Sequence, residues 1–321
     1  LSVEPPQSRA ALPYRAVAGI VTFYPDPDSL VALVGAVASE VATVMVFANS
    51  DVPEPLVARL RAGVGAASEF VLLAPGGNVG LGVAYDAFVA EAQSRGAEFL
   101  LLLDQDSMPE PHMVARLAAQ HRTLALAGEN PVLVGPQPID PSGERMKVPL
   151  LRAISMGQGG TVPVRFAISS GSLLRLDAAA VVGPFRADFF IDAIDLEWCM
   201  RAWSRGYSVW IAPEVLMPHR LGLGVIRLPG GLRLTDQPPR RLYTYIRNQL
   251  AMTRLRHVPM SHKVRLLASL PIRLITYLGH NRFSRDICRA LVNGLIDGAL
   301  NRLGPPDPAL RPIWSRRSGR G

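Results

Sequence analysis

Apolar positions along this chain alternate between two spacings. Val17 to Phe23 is a near-continuous apolar run of strand length; Leu30, Leu33, Val34 and Val37 then recur at helical spacing behind Asp28 and Ser29, which predicts a strand followed by a capped helix. The order repeats, with strands over Thr43 to Ala48, Phe70 to Leu73 and Phe99 to Leu103, and helices over Glu54 to Gly63 and Gly80 to Arg95, the latter ending at Gly96. Such alternation predicts an α/β fold with a mostly parallel sheet covered on both faces, whose ligands lie at the carboxyl ends of the strands.

Past Pro136 the pattern loosens. Ile139 to Pro163 is rich in Gly, Pro and Ser and long for a connection, which favours a functional loop. Val164 to Ser169 and Tyr207 to Ala212 read as strands and Asp192 to Arg205 as a helix, while Gly222 to Pro239, with seven glycines or prolines, reads as a mobile flap. Beyond Arg240 the chain is amphipathic and helical, with Ile287, Leu291, Leu295 and Leu300 along one side and a frayed tail from Gly304. The expected division is an N-terminal extension (1–16), a catalytic domain (17–222), a flap (223–239) and a basic helical region (240–321).

Charge sharpens that division. Residues 1–218 hold 15 Lys+Arg against 22 Asp+Glu, whereas residues 219–321 hold 19 against 4, so the net +8 belongs to the last third of the 321 residues. Nearly all of that excess is arginine, which suits phosphate or anionic lipid. An apolar content of 49% excludes a disordered chain, and two cysteines, Cys199 and Cys288, exclude a disulfide scaffold and suit a reducing compartment. The C-terminal apolar run Leu266 to Leu278 is interrupted by Pro271 and Arg273, too broken for a membrane span, and Leu1 to Pro13 lacks a secretory pattern. A nucleic-acid-binding protein is the reading the basic pI alone suggests, but no recognisable RNA or DNA module accompanies it.

Three segments carry candidate chemistry. Asp104-Gln105-Asp106-Ser107 puts two carboxylates just past the most apolar strand, where a hard divalent cation bridging a diphosphate would compensate them. The ordinary alternative is an Asp106 or Ser107 cap on a helix starting near Pro109. Ile191 to Arg201 places Asp192, Asp195 and Glu197 at a helix start, where an ionised carboxylate could act as general base; charge complementarity with the helix end and a Glu197–Arg201 surface pair are the alternative. Pro75 to Gly82 joins a strand to a helix through a glycine turn that lets backbone approach a ligand, or is a turn only. His219, beside Arg220, stands where an imidazole could complete the coordination of a metal held by Asp106.

In order, Val21-Thr22-Phe23-Tyr24-Pro25, Asn78 to Gly82, Asp104-Gln105-Asp106, Ser170-Gly171-Ser172, Phe190 to Arg201, His219 with Gly222, and Tyr243 to Asn248 resemble the nucleotide-sugar glycosyltransferases of family 2, with their GT-A fold, and especially the bacterial rhamnosyltransferase branch. The resemblance covers about residues 17 to 303. It implies an inverting transfer with Asp195 as base, and Mg2+ or Mn2+ held by Asp106 and His219. Thr22, Asn49, Asp51, Asn78, Gly80, Asp104, Gln105 and Arg247 would contact the donor, with Arg220 a second candidate on the phosphates. Ser170, Gly171, Asp192, Glu197 and Trp198 would lie on the acceptor side. Two positions depart from the family pattern: Ala48 precedes Asn49 where an acidic residue is usual, and Asp86 stands where Asn is common. Both bear on donor identity.

The implied donor is dTDP-rhamnose, with UDP-linked hexose or galactofuranose as alternatives. The implied acceptor is a cell-surface glycan, carried on a polyprenyl diphosphate at the anionic inner face of a bacterial plasma membrane, where the basic helices would rest peripherally. An oligomer-forming helical tail is the other use of those helices.

Overall fold

A computed structural model describes residues 14–66, 68–140, 142–151, 157–218, 224–228 and 233–306. Eight strands form one sheet in the order β3-β2-β1-β4-β7-β5-β8-β6. They are β1 (Ala16–Thr22), β2 (Thr43–Ala48), β3 (Glu69–Leu73), β4 (Phe99–Asp104), β5 (Pro131–Ile139), β6 (Val162–Pro163), β7 (Leu173–Arg175) and β8 (Ser208–Pro218). The pairs β1–β2, β1–β4, β2–β3 and β5–β8 are parallel; β7 runs antiparallel between β4 and β5, and β6 antiparallel beside β8. Six strands, β1 to β5 and β8, therefore run the same way and end on the same edge, which gathers the polar residues that follow them.

Helices α1 (Pro27–Ala38), α2 (Glu54–Val64), α3 (Leu81–Ser94) and α4 (Met113–Leu126) join the first five strands, and α5 (Leu176–Val182) and α6 (Ile194–Ser204) follow β7. The central strands β1, β2 and β4 are buried on both faces, so they read as near-continuous apolar runs rather than alternating ones. Val17, Val21, Leu100 and Leu102 pack with Tyr85, Phe88 and Trp198 on one side. Ala18, Ile20, Leu101 and Leu103 pack with Leu30, Leu33, Leu60 and Leu117 on the other. Gly19 is required by that packing, because a Cβ there would lie 2.5 Å from the Phe88 ring.

The C-terminal region has a core of its own. The hairpin of β9 (Gly224–Arg227) and β10 (Arg233–Asp236) precedes α7 (Pro239–Met252), α8 (Met260–His280) and α9 (Arg285–Ala299). Ile226, Leu234, Leu242, Ile246, Tyr277, Ile287 and Leu291 close this core. Gly294 and Gly298, one turn apart on α9, let it approach α7 so closely that a Cβ on either would meet the carbonyl oxygen of Tyr243 or Arg247 at 2.8 Å.

Several expectations need correction. Helix α1 starts at Pro27, and its cap is Asp26, whose Oδ1 accepts from the Ser29 N–H at 2.9 Å. A proline at the first helical position lacks the N–H that would have gone unpaired, so the helix extends further back than the apolar periodicity reaches. The strand expected over Val164 to Ser169 stops at Pro163, with only an isolated bridge from Val164 to Leu150. Helix α4 begins at Met113 after a left-handed His112, so neither Asp106 nor Ser107 caps it. The segment expected as a flap is in its described part the β9–β10 hairpin, whose Ile226 and Leu234 are buried against α7 and its neighbours. Residues 219–223, including His219, Arg220 and Gly222, and the tail from residue 307 lie outside the described residues. Among the described residues no helix is long and apolar enough to cross a membrane.

Candidate functional site

The carboxyl ends of β1, β2 and β4 open into a cavity of about 1060 Å³, closed on its far side by α7 and α8. Ten of the expected site residues line it: Thr22, Asn49, Asn78 and Gly80, then Asp104, Gln105 and Asp106, then Ser170, Asp192 and Asp195.

Local hydrogen bonds explain the first group. Thr22 is buried and its Oγ1 donates to the Phe47 carbonyl at 3.2 Å, tying the ends of β1 and β2 together. Asn49 Oδ1 accepts from the Val79 N–H at 3.0 Å, and Asn78 Oδ1 from the Gly80 N–H at 3.0 Å, so two side-chain amides hold the glycine turn. Gly80 has φ 90°, and a Cβ there would sit 2.7 Å from the Phe190 carbonyl oxygen; only glycine fits. Gln105 clasps the Phe23 backbone, its Oε1 accepting at 2.7 Å and its Nε2 donating at 3.3 Å.

Acidic groups crowd the centre. Burial pushes the Asp104 carboxyl up to about 6, helped by the Asp106 charge and opposed by Arg241. Burial likewise raises Asp195 to about 6, against the Leu196 N–H that its Oδ1 accepts at 2.8 Å and with help from Asp104 and Asp192. Asp104 is further fixed by Ser107, whose Oγ accepts its N–H at 2.9 Å and meets Ser170 Oγ at 2.8 Å. The carboxylates of Asp104 and Asp106, both on the cavity at the end of β4, are oxygen ligands of the kind a hard divalent cation takes, and its charge would offset the Asp106 repulsion that adds to burial in raising Asp104. Among the described residues no group of three His, Cys, Asp or Glu gathers around such an ion.

The turn before α6 aims Asp195. Phe190, Asp192 and Ala193 have φ of 64°, 70° and 62°, a strained left-handed path for side-chain-bearing residues that surrounding structure must hold. Asn248 holds it: its Nδ2 lies 3.0, 2.8 and 2.9 Å from the carbonyl oxygens of Phe189, Ile191 and Asp192. Arg247 corrects an expectation. It is 1% exposed and outside the cavity, donating to the carbonyls of Phe189 (2.9 Å) and Gly304 (2.7 Å) and to Asn248 Oδ1 (2.9 Å), with its guanidinium over the Tyr243 ring. Asp192 is tied as well, accepting from Arg241 Nη2 and Thr244 Oγ1, each at 2.6 Å.

Four further residues stand apart from the cavity. Glu197 is 1% exposed and pairs with Arg201 at 2.9 Å, with His257 Nε2 2.8 Å away, so the expected ion pair forms but is buried. Trp198 donates its indole N–H to the Gly183 carbonyl at 2.9 Å and stacks on Phe185. Gly171 packs against Met217 and Pro136, and Asp51 is exposed outside the cavity lining. Asp86, the second departure from the family pattern, accepts from the Phe185 N–H at 2.8 Å beneath the site rather than in it.

Sequence reasoning missed the opposite wall. Arg240, Arg241 and Tyr245 of α7 and His262, Arg265 and Arg273 of α8 line it, and Tyr85, whose OH bonds Ser169 Oγ at 2.7 Å, forms part of the floor. The α8 residues recur at helical spacing, a visible stripe, but a basic stripe on an amphipathic helix ordinarily faces solvent.

No family model matches this sequence. It is similar to dTDP-rhamnosyl transferase RfbF of Shigella flexneri, at 29% identity over 203 residues, covering 60% of this chain and 66% of that protein, just short of two thirds of the relative's length. Among solved structures, S. aureus TarS 1–349 in complex with UDP-GlcNAc superposes with a TM-score of 0.56 at 13% identity, over 88% of this chain and 80% of that one. The mannosyltransferase PcManGT from Pyrobaculum calidifontis, in complex with GDP-Man and Mn2+, gives 0.53 at 12% identity over 90% and 88%. These likenesses bear out the expected GT-A fold and the resemblance drawn from the sequence.

Proposed function

We propose that this chain, a glycosyltransferase of the GT-A fold, transfers L-rhamnose from dTDP-rhamnose to a hydroxyl of a cell-surface glycan with inversion at the anomeric carbon. The observation that carries the reading is Asp195. Its carboxyl, raised to about 6, faces the cavity at the strand ends from a turn built to aim it. A carboxylate of that basicity is ionised at neutral pH yet a better proton acceptor than an ordinary one.

Thr22, Asn49, Asn78 and Gly80 form the nucleoside end of the site, and Asp104 with Gln105 lies toward the ribose and sugar. Asp106, with His219, would hold Mn2+ or Mg2+ against the donor diphosphate. That cation would offset charge on the departing dTDP. Asp195 takes the proton of the acceptor hydroxyl as its oxygen attacks the anomeric carbon in line, forming the new glycosidic C–O bond while the bond to the diphosphate oxygen breaks. Attack from the face opposite the leaving group inverts the centre. Residues 17–222 supply this chemistry, and residues 240–306 close the cavity.

The choice of dTDP-rhamnose rests on the rhamnosyl relative. The neighbours bound to UDP-GlcNAc and GDP-Man support a nucleotide-sugar donor more generally. A membrane-apposed acceptor is supported by α8, which turns Met260, Val264, Leu267 and Ile275 outward at 69, 59, 51 and 71% exposure, on the side away from the cavity-lining His262, Arg265 and Arg273. Phe283 is also exposed, in the turn that leads into the arginine-bearing α9. An anionic bilayer complements that surface, whereas a second copy would set like charges together.

The test is release of nucleoside diphosphate from a panel of dTDP-, UDP- and GDP-sugars with Mn2+ or Mg2+, followed by assignment of the product anomer. Turnover of dTDP-rhamnose above the others with inversion is expected. Turnover of a UDP-hexose or UDP-galactofuranose alone would replace the donor, and retention would remove Asp195 as base.

A further inference from the structure

The two walls of the cavity carry opposite charge. Asp104, Asp106, Asp192 and Asp195 stand on the sheet side; Arg240, Arg265, Arg273 and His262 stand on the helical side. Arg241 is accounted for by Asp192. The other arginines are not: among the described residues no carboxylate lies within ion-pair distance of Arg240, Arg265 or Arg273, and the nearby Asp236 is 3.5 Å from His280 instead. Arg273 donates to the neutral Tyr245 hydroxyl and to Ser269 Oγ, and its guanidinium lies over the Tyr245 ring. The buried Nε2 of His262 has no hydrogen-bond partner, and this imidazole is held below its ordinary value by burial and then by Arg265, Arg165 and Arg273.

Several uncompensated guanidinium groups converging on a cavity repel one another unless an anion joins them, and planar forks of N–H donors fit phosphate oxygens bidentately. The donor diphosphate does not explain them. It belongs with Asp106 and the β1, β2 and β4 ends, and the guanidinium that acts on Asp104 and Asp195 is Arg241 alone.

We propose that Arg240, Arg265 and Arg273, with His262, form a second anion subsite on the helical wall, which takes a phosphate or diphosphate group of the acceptor. The inference rests on the transferase reading for the word acceptor, but the subsite stands on its own geometry. Its place on the cavity-facing side of α8, whose other side is exposed and apolar, lets a phosphate borne by a membrane lipid or one on a soluble glycan enter beside the reacting hydroxyl.

Inorganic pyrophosphate is the probe, titrated calorimetrically into the full chain with a chelator present, so that a metal-dependent donor site stays silent. The native chain is expected to bind it, Arg240→Gln/Arg265→Gln to weaken it about tenfold or more, and Asp106→Asn to leave it unchanged. Binding of dTDP with Mn2+ by the same arginine variant, at native affinity, verifies that it is folded. Retained pyrophosphate binding in the double variant, or none in the native chain, overturns the subsite. If dTDP fails to bind any variant while the arginine-dependent pyrophosphate signal persists, the donor reading fails and the subsite survives. A flotation arm separates the sources: phosphatidylcholine vesicles doped with polyprenyl diphosphate, against vesicles matched in charge with phosphatidylglycerol. An arginine-dependent preference for the diphosphate vesicles assigns the group to a lipid; pyrophosphate binding without that preference assigns it to a soluble phosphorylated acceptor.

Discussion

The sheet half and the helical half of this molecule solve the same problem in opposite ways. In the sheet half, apolar residues fill both faces and charge is confined to the strand ends, where burial raises Asp104 and Asp195. In the helical half, a small core of its own holds α7 and α9 together, α8 exposes apolar residues to solvent, and the charge turned toward the cavity is positive. The contrast teaches that the C-terminal helices are part of the site. Asn248 and Arg241 of α7 reach across to fix the turn that aims Asp195.

The largest effect should come from the sheet side. Asp195→Asn should lower turnover by about 10³-fold without weakening donor binding. The same change should stabilise the fold at pH 8. A carboxyl raised above its unfolded value keeps its proton longer when folded, so stability is lost as pH rises from about 4 through about 6. Asparagine removes that loss, worth about 1–2 kcal/mol once partial exposure is discounted, and thermal melts at pH 8 against pH 4 read it.

Next comes the bridge between the halves. Asn248→Ala leaves the Ile191 and Asp192 carbonyls of a strained turn without their side-chain donor, and that of Phe189 with Arg247 alone among side chains, and should reduce kcat about tenfold to a hundredfold, with about 2–4 kcal/mol of stability lost in denaturant titration. KM for the donor should move little on the proposed reading, in which the nucleoside lies on Thr22, Asn49, Asn78 and Gly80.

The pH profile comes third. With Asp195 near 6, the rate should fall about tenfold per unit as pH drops below that value and level off above it. A profile flat down to pH 4 would separate the base from this residue.

Two glycines then split the halves by stability. Gly19→Ala drives a methyl into Phe88 and should cost about 1–3 kcal/mol, weakening donor binding and fold together. Gly294→Ala presses on the Tyr243 carbonyl instead and should loosen α9 from α7, lowering rate while dTDP affinity is kept. The smallest effect on chemistry is expected from Ile275→Glu on the outer face of α8: several-fold weaker flotation with anionic vesicles, and unchanged turnover of a soluble acceptor.

The sheet was readable from the sequence because strands buried on both faces leave continuous apolar runs; β2 occupies Thr43–Ala48 as expected, and α3 and β4 agree within a residue or two. The carboxylates were readable because a charge at the end of such a run has few structural uses. What failed concerns direction. Glu197 follows Asp195 by two residues, about 200° around a helix, so the helical period alone would have separated them; Trp198, three residues on and only about 60° away, is instead drawn off by the Gly183 carbonyl and the Phe185 ring, which nothing local announces. Arg247 was misread for another reason: nothing local says that the Arg-Asn pair on α7 would meet backbone carbonyls 50 or more residues earlier. The basic stripe of α8 went unread because it is turned inward, against the ordinary sense of amphipathic burial.

The most direct test of the central claim is a titration of the native chain with dTDP, UDP and GDP, each with Mn2+ and again with chelator. The account expects dTDP to bind most tightly and to need the cation, with affinity reduced about tenfold or more in Asp106→Asn. Failure of all three nucleotides to bind with the cation present would contradict it.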